Sequence, residues 1–229
     1  MLDVFGPDIW IADGPETQTA GFPYPTRMAL IRLADGGLFV WSPVALTPDL
    51  RAALATLGPV RHIVAPNSLH DLWLADWARE FPDAAVWGPP ALRAKRRDIA
   101  FDGVLDDAPD PAWADRIDQA VMRGNLITTE IVFFHRQSRT VLFTDLIQQH
   151  DPARFSGWRA VVARLDLMTA PEPAVPRKFR VAFLDRAAAR DSVRRVLAWP
   201  ANNVLMAHGT PVRGQGAAFL RRAFAWLTG

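Results

Sequence analysis

Hydrophobic and polar positions alternate with two periods along the chain, and each change of period marks a predicted element. Apolar runs bounded by turn residues predict strands at 8–13, 60–66 and 84–90. The stretch "RMALIRLADGGLFVWSP" (27–43) predicts a β-hairpin, because the Asp and Gly residues that join its two apolar runs accept positive φ. Residues 14–26 are rich in Gly, Pro and Thr and predict a loop.

Helical spacing follows two of these strands. "TPDLRAALATLG" predicts a helix with Thr47 as its N-cap, Pro48 at its first position and Gly58 just past its end. From Ser68 onward, apolar residues recur at helical spacing, which predicts a helix that starts directly after the strand at 60–66. The members of this apolar stripe are Leu69, Leu72, Trp73, Trp77 and Phe81, of which the two tryptophans are expected in the core.

The second half repeats this alternation. Residues 101–124 have weak periodicity and predict irregular connections with short strands, whereas 126–145 predict a second hairpin that turns at 136–138. Helices are predicted near 155–168, 186–199 and 216–227, a Pro-rich loop at 170–178 and a strand ending in a turn at 202–211. The alternation of strands and helices predicts an α/β layered fold, and without repeats or a linker we expect one domain over 1–229.

Composition narrows the classes of function. Cysteine is absent, which excludes disulfides, thiolate metal sites and cysteine nucleophiles and fits a cytoplasmic protein. The N-terminus lacks the pattern of a signal peptide, and no apolar run approaches the ~20 residues of a membrane span, so we expect no membrane partner. The formal net charge of +2 gives little field for nucleic acid, and the basic cluster at 93–98 is expected to be a solvated helix end.

Three predicted strands end in polar side chains that can bind a metal ion. Asn67, His70 and Asp71 follow "HIVAP", Asp145 follows "TVLFT", and His208 follows "NVLMA". In α/β folds the ends of strands gather functional groups, because the rigid sheet fixes side chains that the loops expose. We therefore expect these residues to converge. Local roles are the alternative: Asn67 and Asp145 as helix caps, and His208 as a backbone partner in a turn.

The order of elements resembles the metallo-β-lactamase fold superfamily, and its DUF4336 branch most of all. The likeness rests on four stretches and runs over most of the chain. The stretches are "MALIRLADGGLFVWSP", "IVAPNSLHDLW", "RGNLITTEIVFFHRQSRTVLFTD" and "VLMAHGTP". The resemblance implies a four-layer αβ/βα sandwich and a metal-dependent hydrolase that acts on an ester, an amide or a phosphodiester.

The chain departs from the metal motif of that superfamily. An ungapped alignment places Asn67 and Leu69 on the first two histidines of H-x-H-x-D-H, Asp71 on the aspartate and Leu72 on the last histidine. Asn125 falls on the histidine of the family's glycine-histidine turn. The three imidazoles of the first metal site are thus missing, and the resemblance implies that this site is lost.

The second metal site of the family keeps its residue types. His70, Asp145 and His208 are the predicted ligands, and Asp71 is the predicted catalytic base or fourth ligand. Such a set could hold one Zn²⁺, Fe²⁺ or Mn²⁺ ion, or no metal. Glu130 is a weaker site candidate. Adjacent helix residues point ~100° apart, so His70 and Asp71 cannot simply exchange roles.

Two further hypotheses stay open beside the hydrolase. One is a non-catalytic, metal-free relative whose cleft binds a small molecule or a protein partner. The other is a redox member of the family that holds iron. The ligand and the oligomeric state are not predicted, and the C-terminal helix could pack on its own domain or on a partner. His62, His135 and His150 are expected at the surface.

Overall fold

The computed structural model describes all 229 residues, which form two β-sheets with helices on their outer faces. The first sheet has seven strands in chain order, antiparallel from β1 to β4 and parallel from β4 to β7. Its strands are β1 (Leu2–Gly6), β2 (Ile9–Thr19), β3 (Phe22–Arg32), β4 (Leu38–Trp41), β5 (Val60–Val64), β6 (Ala85–Gly88) and β7 (Gly103–Val104).

The second sheet has four strands in the order β11-β10-β9-β8. They are β8 (Ile117–Met122), β9 (Glu130–His135), β10 (Thr140–Phe143) and β11 (Asn203–Met206). β8, β9 and β10 are antiparallel neighbours, whereas β10 and β11 run parallel, so that their carboxyl ends lie at the same edge. Asp145 and His208 follow these two ends, and the sheet thereby brings them together.

Seven helices complete the layers. They are α1 (Pro48–Leu57), α2 (Leu74–Glu80), α3 (Pro90–Lys95), α4 (Gly157–Leu165), α5 (Arg177–Ala182), α6 (Arg186–Leu197) and α7 (Gly216–Thr228). One core joins α1, α2 and α3 to the first sheet, a second joins α5, α6 and α7 to the second sheet, and a third lies between the sheets. The result is the expected four-layer αβ/βα sandwich. No helix has the length and hydrophobicity needed to span a membrane.

Several predictions of local structure are confirmed. The side chain of Thr47 accepts a hydrogen bond from the Leu50 N–H at the start of α1, and Gly58 ends that helix with φ 146°. The hairpin of β3 and β4 turns through Gly36 at φ 82°. The apolar face of α7, which includes Phe219 and Phe224, is buried in the core of its own chain. The apolar face of α7 is therefore covered by the core of its own chain.

The prediction of a loop at 14–26 was wrong. β2 and β3 pair through most of it, with Thr17 opposite Tyr24, and a bulge between Gly14 and Thr17 absorbs the irregular register. The Gly and Pro residues of this segment lower strand propensity, but the long antiparallel ladder overrides it. Strand β1 and helix α5 lie where no element was predicted. Within 101–124, where short strands were expected, β8 runs over six residues, and α3 ends in the basic cluster that was expected to be a helix end.

The helix predicted from Ser68 begins only at Leu74. The intervening residues form a turn, because the Asn67 side-chain oxygen accepts the backbone N–H groups of Leu69 and His70 at 2.8 and 3.1 Å. Asn67 thus caps a turn rather than the helix itself. Trp77, which lies on α2, is fully buried, as the spacing predicted.

Two of the three histidines expected at the surface are buried. His135 is fully buried, with Nδ1 2.8 Å from the Ser138 hydroxyl, and His150 lies beside the Tyr24 ring. Burial lowers the pKa of His135 to about 4 and that of His150 to about 3. His62 is half-buried, and its Nδ1 accepts a hydrogen bond from the Trp87 indole at 3.2 Å. The burial of these histidines depends on apolar residues that are distant in sequence, so the local sequence does not reveal it.

Candidate metal centre

The side chains of His70, Asp145 and His208 meet where three strand ends converge. One ligand atom from each lies within 4.8 Å of the others, as a metal-binding group requires. His70 Nε2 is 3.2 Å from Asp145 Oδ2, and His208 Nε2 is 3.4 Å from Asp145 Oδ1. All three side chains are less than a tenth exposed. The predicted ligand set is therefore assembled around one carboxylate.

The outer nitrogens of both imidazoles have fixed partners. His208 Nδ1 is 2.6 Å from the carbonyl oxygen of Pro25, which can only accept, so Nδ1 carries the proton. His70 Nδ1 is 2.7 Å from the Ser42 oxygen, and the Ser42 hydroxyl itself donates to the Arg27 carbonyl at 3.3 Å. With its single proton on the Arg27 carbonyl, the Ser42 oxygen accepts from Nδ1 of His70. In their neutral forms both rings turn an unprotonated Nε2 toward Asp145.

Two nitrogen lone pairs facing a carboxylate repel it unless positive charge lies between them. A metal ion supplies that charge, and so do protons on both rings. Ligand atoms that bind a tetrahedral ion at ~2.1 Å lie ~3.4 Å apart. Each imidazole nitrogen faces a different oxygen of Asp145, at 3.2 and 3.4 Å, and one ligand atom from each of the three residues lies within 4.8 Å of the others. Two imidazoles and one carboxylate thus form a donor set that fits zinc, iron or manganese.

The buried side chain of Asn67 holds the Asp145 carboxylate. Asn67 Nδ2 donates to Asp145 Oδ2 at 2.7 Å and to the Thr144 hydroxyl at 2.9 Å. Burial alone would raise the pKa of Asp145, but the positive charge and hydrogen bonds of protonated His70 and His208 outweigh burial and hold this pKa well below its usual range. With positive charge beside it the carboxylate stays ionised, and Asn67 holds its orientation, as a ligand requires.

Glu130 fixes the loop that carries Asp145. Its fully buried carboxylate accepts the backbone N–H groups of Thr144, Asp145 and Leu146 at 2.6, 2.9 and 3.0 Å. Burial and the charge of Asp145 raise the pKa of Glu130 to about 7, against these three donors. Glu130 does not belong to the ligand group itself. Its contacts instead set the direction in which Asp145 leaves strand β10.

Asp71 lies outside the ligand group. Its carboxylate binds Lys95 Nζ at 2.9 Å and Arg96 Nη1 at 3.2 Å. The basic cluster at 93–98, expected as a solvated helix end, thus supplies two partners to a nearly buried acid. Both carboxylate oxygens of Asp71 are thus paired with cations and do not face the ligand group.

Asn125 also lies apart from the ligand group. Its amide nitrogen donates to the Phe179 carbonyl at 2.9 Å, and its oxygen accepts the Ile127 N–H at 2.9 Å. The side chain therefore fixes the approach to β9. Leu69 and Leu72 are 48% and 60% exposed. None of these three positions offers a metal ligand.

A cavity of about 580 Å³ opens beside the ligand group. Eleven of its 25 lining residues are hydrophobic, and His70, Asp145 and His208 lie on its wall. The wall also contains Tyr24 and Lys178, which the sequence did not single out, and Lys178 Nζ donates to the Tyr24 hydroxyl at 2.8 Å. Burial raises the pKa of Tyr24, against Lys178, so that the phenol is protonated at neutral pH. The only signal for Tyr24 was its uniqueness, since the chain has one tyrosine.

Residues 8–156 match a family described as "Domain of unknown function (DUF4336)", which is more than half of the chain. The chain belongs to the DUF4336 family. Among curated proteins, none matches it.

Solved structures similar to this DUF4336 chain share its fold over its whole length. A metallo-β-lactamase from Pontibacter korlensis is 13% identical with TM-score 0.65, covering 100% of this chain and 99% of its own. One from Erythrobacter litoralis is 17% identical with TM-score 0.66, covering 99% and 95%. The flavodiiron core Flv1 from Synechocystis is 11% identical with TM-score 0.66, covering 100% of this chain and 60% of its own. The DUF4336 chain therefore has the metallo-β-lactamase fold.

Proposed function

We propose that this DUF4336 protein is a metal-dependent hydrolase that uses a single ion, held by His70, Asp145 and His208. The observation that carries the proposal is the orientation of the two imidazoles. Both present Nε2 to one buried carboxylate, each to a different oxygen, and one ligand atom from each of the three residues lies within 4.8 Å of the others. The first metal site of the superfamily is lost, because Asn67, Leu69 and Asn125 occupy its positions.

The side chains around the ligands hold them in place. Pro25 and Ser42 bind the outer imidazole nitrogens, and Asn67 binds the carboxylate, so each ligand has a second partner that fixes its orientation. An ion held by His70, Asp145 and His208 would supply Lewis-acid chemistry and lower the pKa of a bound water toward ~7. The cavity beside the ligands gives an ester, amide or phosphodiester access to this position.

One observation favours the alternative, a non-catalytic and metal-free protein. Protons on both imidazoles would satisfy the Asp145 carboxylate without any ion. Asp71, the acid in the turn after β5, is paired with Lys95 and Arg96. No free carboxylate remains there to act as a general base. In that case the same cavity binds a small molecule or a partner without chemistry.

Metal content separates the two functions. The protein is purified without added metal or nickel resin, and its zinc, iron and manganese are measured by plasma mass spectrometry. We expect about one equivalent in the wild type, near zero in His208→Ala, and an unchanged value in the control His62→Gln, whose ring binds Trp87 instead. Hydrolysis of p-nitrophenyl esters and of bis(p-nitrophenyl) phosphate is assayed on the same preparations. A wild type that stays metal-free after incubation with these ions contradicts the hydrolase.

A further inference from the structure

Part of the cavity wall is apolar. Phe22, Val44, Leu72, Val162 and Phe179 line it, together with other hydrophobic residues. A volume of about 580 Å³ is that of a site for a small organic molecule. Apolar surface removed from water stabilises a complex by roughly 25 cal/mol per Å². The lining therefore favours a ligand with a sizeable apolar part.

The charged side chains of the cavity, apart from the ligand group, are neutralised in pairs. Lys95 Nζ is 2.9 Å from Asp71 Oδ1, and Lys178 Nζ is 3.5 Å from Asp166 Oδ2. All four residues line the cavity. A phosphate-binding site presents unpaired cations or a fork of arginine donors, and this wall presents neither. The pairing disfavours an anionic substrate such as a phosphodiester.

Tyr24 carries a hydroxyl proton that has no acceptor in the chain. Its phenol oxygen accepts from Lys178 Nζ at 2.8 Å, which leaves its own O–H free to donate. The ring packs edge-on against His208, with centroids 5.2 Å apart, so the phenol borders the ligand group. A phenol whose oxygen accepts from an ammonium group is a stronger donor, because hydrogen bonds in a chain polarise one another.

We propose that the cavity takes an uncharged ester or amide with an apolar chain, and that Tyr24 donates a hydrogen bond to its carbonyl oxygen. The inference rests on the proposed function only in placing the carbonyl carbon at the ligand group. The apolar chain lies against Phe22, Leu72 and Val162. In the reaction the oxygen of water bonds to the carbonyl carbon and the carbon–oxygen or carbon–nitrogen bond to the leaving group breaks. One proton of that water goes to the leaving alcohol or amine, and the other product is the carboxylic acid.

Ligand binding to the metal-free protein tests this substrate class separately from metal binding and from hydrolytic activity. The probe is methyl hexyl ketone, which cannot be hydrolysed, compared with an isostere in which a methylidene group replaces the carbonyl oxygen. Each compound competes against the uncharged fluorescent dye N-phenylnaphthylamine. We expect the ketone to bind the wild type about tenfold more tightly than its isostere, the worth of one hydrogen bond to a buried donor.

Two variants sharpen the result. Tyr24→Phe should bind ketone and isostere equally while keeping its affinity for the isostere, because only the donor is lost. Val162→Asp, at a half-exposed wall position, should weaken both compounds alike. Equal affinity of the wild type for ketone and isostere, or stronger competition by bis(p-nitrophenyl) phosphate, overturns the inference. Metal binding with phosphodiester hydrolysis would leave the proposed hydrolase standing while this inference fails, and ketone selectivity in a protein without metal would do the reverse.

Discussion

The two loops that form the ligand group differ in how they are supported. The loop after β10 carries Asp145 and is held from below by the buried carboxylate of Glu130. The turn after β5 carries His70, and its exposed side shows Leu69 and Leu72 to solvent. The backbone N–H groups of one loop are bound by a buried acid. The other loop is bound by the buried amide of Asn67 and, at the carbonyl oxygens of Ser68 and Asp71, by Lys95 and Arg96.

The same comparison explains the opposite fates of His70 and Asp71. They are neighbours in sequence, yet His70 points to Asp145 and Asp71 points to the cations of the segment at 95–96. Side-chain direction, not residue type, decides which of two adjacent ligand-capable residues joins a site.

The largest expected effect is at the centre of the supported loop. Asp145→Asn removes the only carboxylate of the ligand group, so the variant should hold no metal. With free ion about 100-fold above its Kd, a chelator should lower the free energy of unfolding of the wild type by about 2.7 kcal/mol and leave the variant unchanged. Urea denaturation with and without chelator measures this. Chelator sensitivity that survives in Asp145→Asn would place the ion elsewhere.

The next effect tests the support beneath that loop. Glu130→Gln keeps the shape of the side chain but replaces one accepting oxygen with a donor, which leaves buried N–H groups without partners. We expect a loss of about 1–3 kcal/mol in unfolding free energy and a 10–100-fold weaker metal affinity, as for other residues that orient ligands. The exposed Glu172→Gln is the matched control. Unchanged affinity in a folded Glu130→Gln would contradict the role given to this acid.

The buried ring of His135, outside the ligand group, should make the free energy of unfolding depend on pH. Burial lowers the pKa of His135 from 6.5 to about 4, so the folded protein binds fewer protons than the unfolded chain between these values. Its contribution to stability is therefore full above about pH 6.5 and is lost as the pH falls toward about 4. Compared with His135→Asn, the wild type should lose about 1–3 kcal/mol more between pH 7 and pH 4. Parallel stability curves of the two proteins would exclude a buried neutral ring.

The smallest effect on stability is expected at Asp71, in the turn after β5. Asp71→Asn removes the charge that binds Lys95, which is half exposed, and should cost about 0.5–1.5 kcal/mol. Metal content and turnover should remain those of the wild type. If the variant loses activity while it keeps its metal and stability, Asp71 is the catalytic base that the sequence predicted.

Sequence patterns predicted the fold where local chemistry is decisive. The Thr47 cap, the Gly36 turn and the apolar face of α7 all formed as expected, because each depends on residues close in sequence. The convergence of His70, Asp145 and His208 followed from strand ends and from the family resemblance. The resemblance alone implied the four layers.

The missed features depend on contacts that sequence does not display. The ladder of β2 and β3 through Gly and Pro residues needs the partner strand, and the burial of His150 needs Tyr24 and His208 around it. Lys178 and Tyr24 are far apart in sequence and meet only across the cavity. The orientation of Asp71 toward Lys95 required the helix α3, which the apolar pattern did not reveal.

The most direct test of a single ion is its position. Crystals of the protein loaded with zinc or manganese would be measured by anomalous diffraction at the absorption edge of that metal. We predict one peak about 2.0–2.3 Å from Nε2 of His70, Nε2 of His208 and the carboxylate of Asp145. A peak at Asp71, or no peak between the two imidazoles, would contradict the account and leave protons as the charge that holds this cluster together.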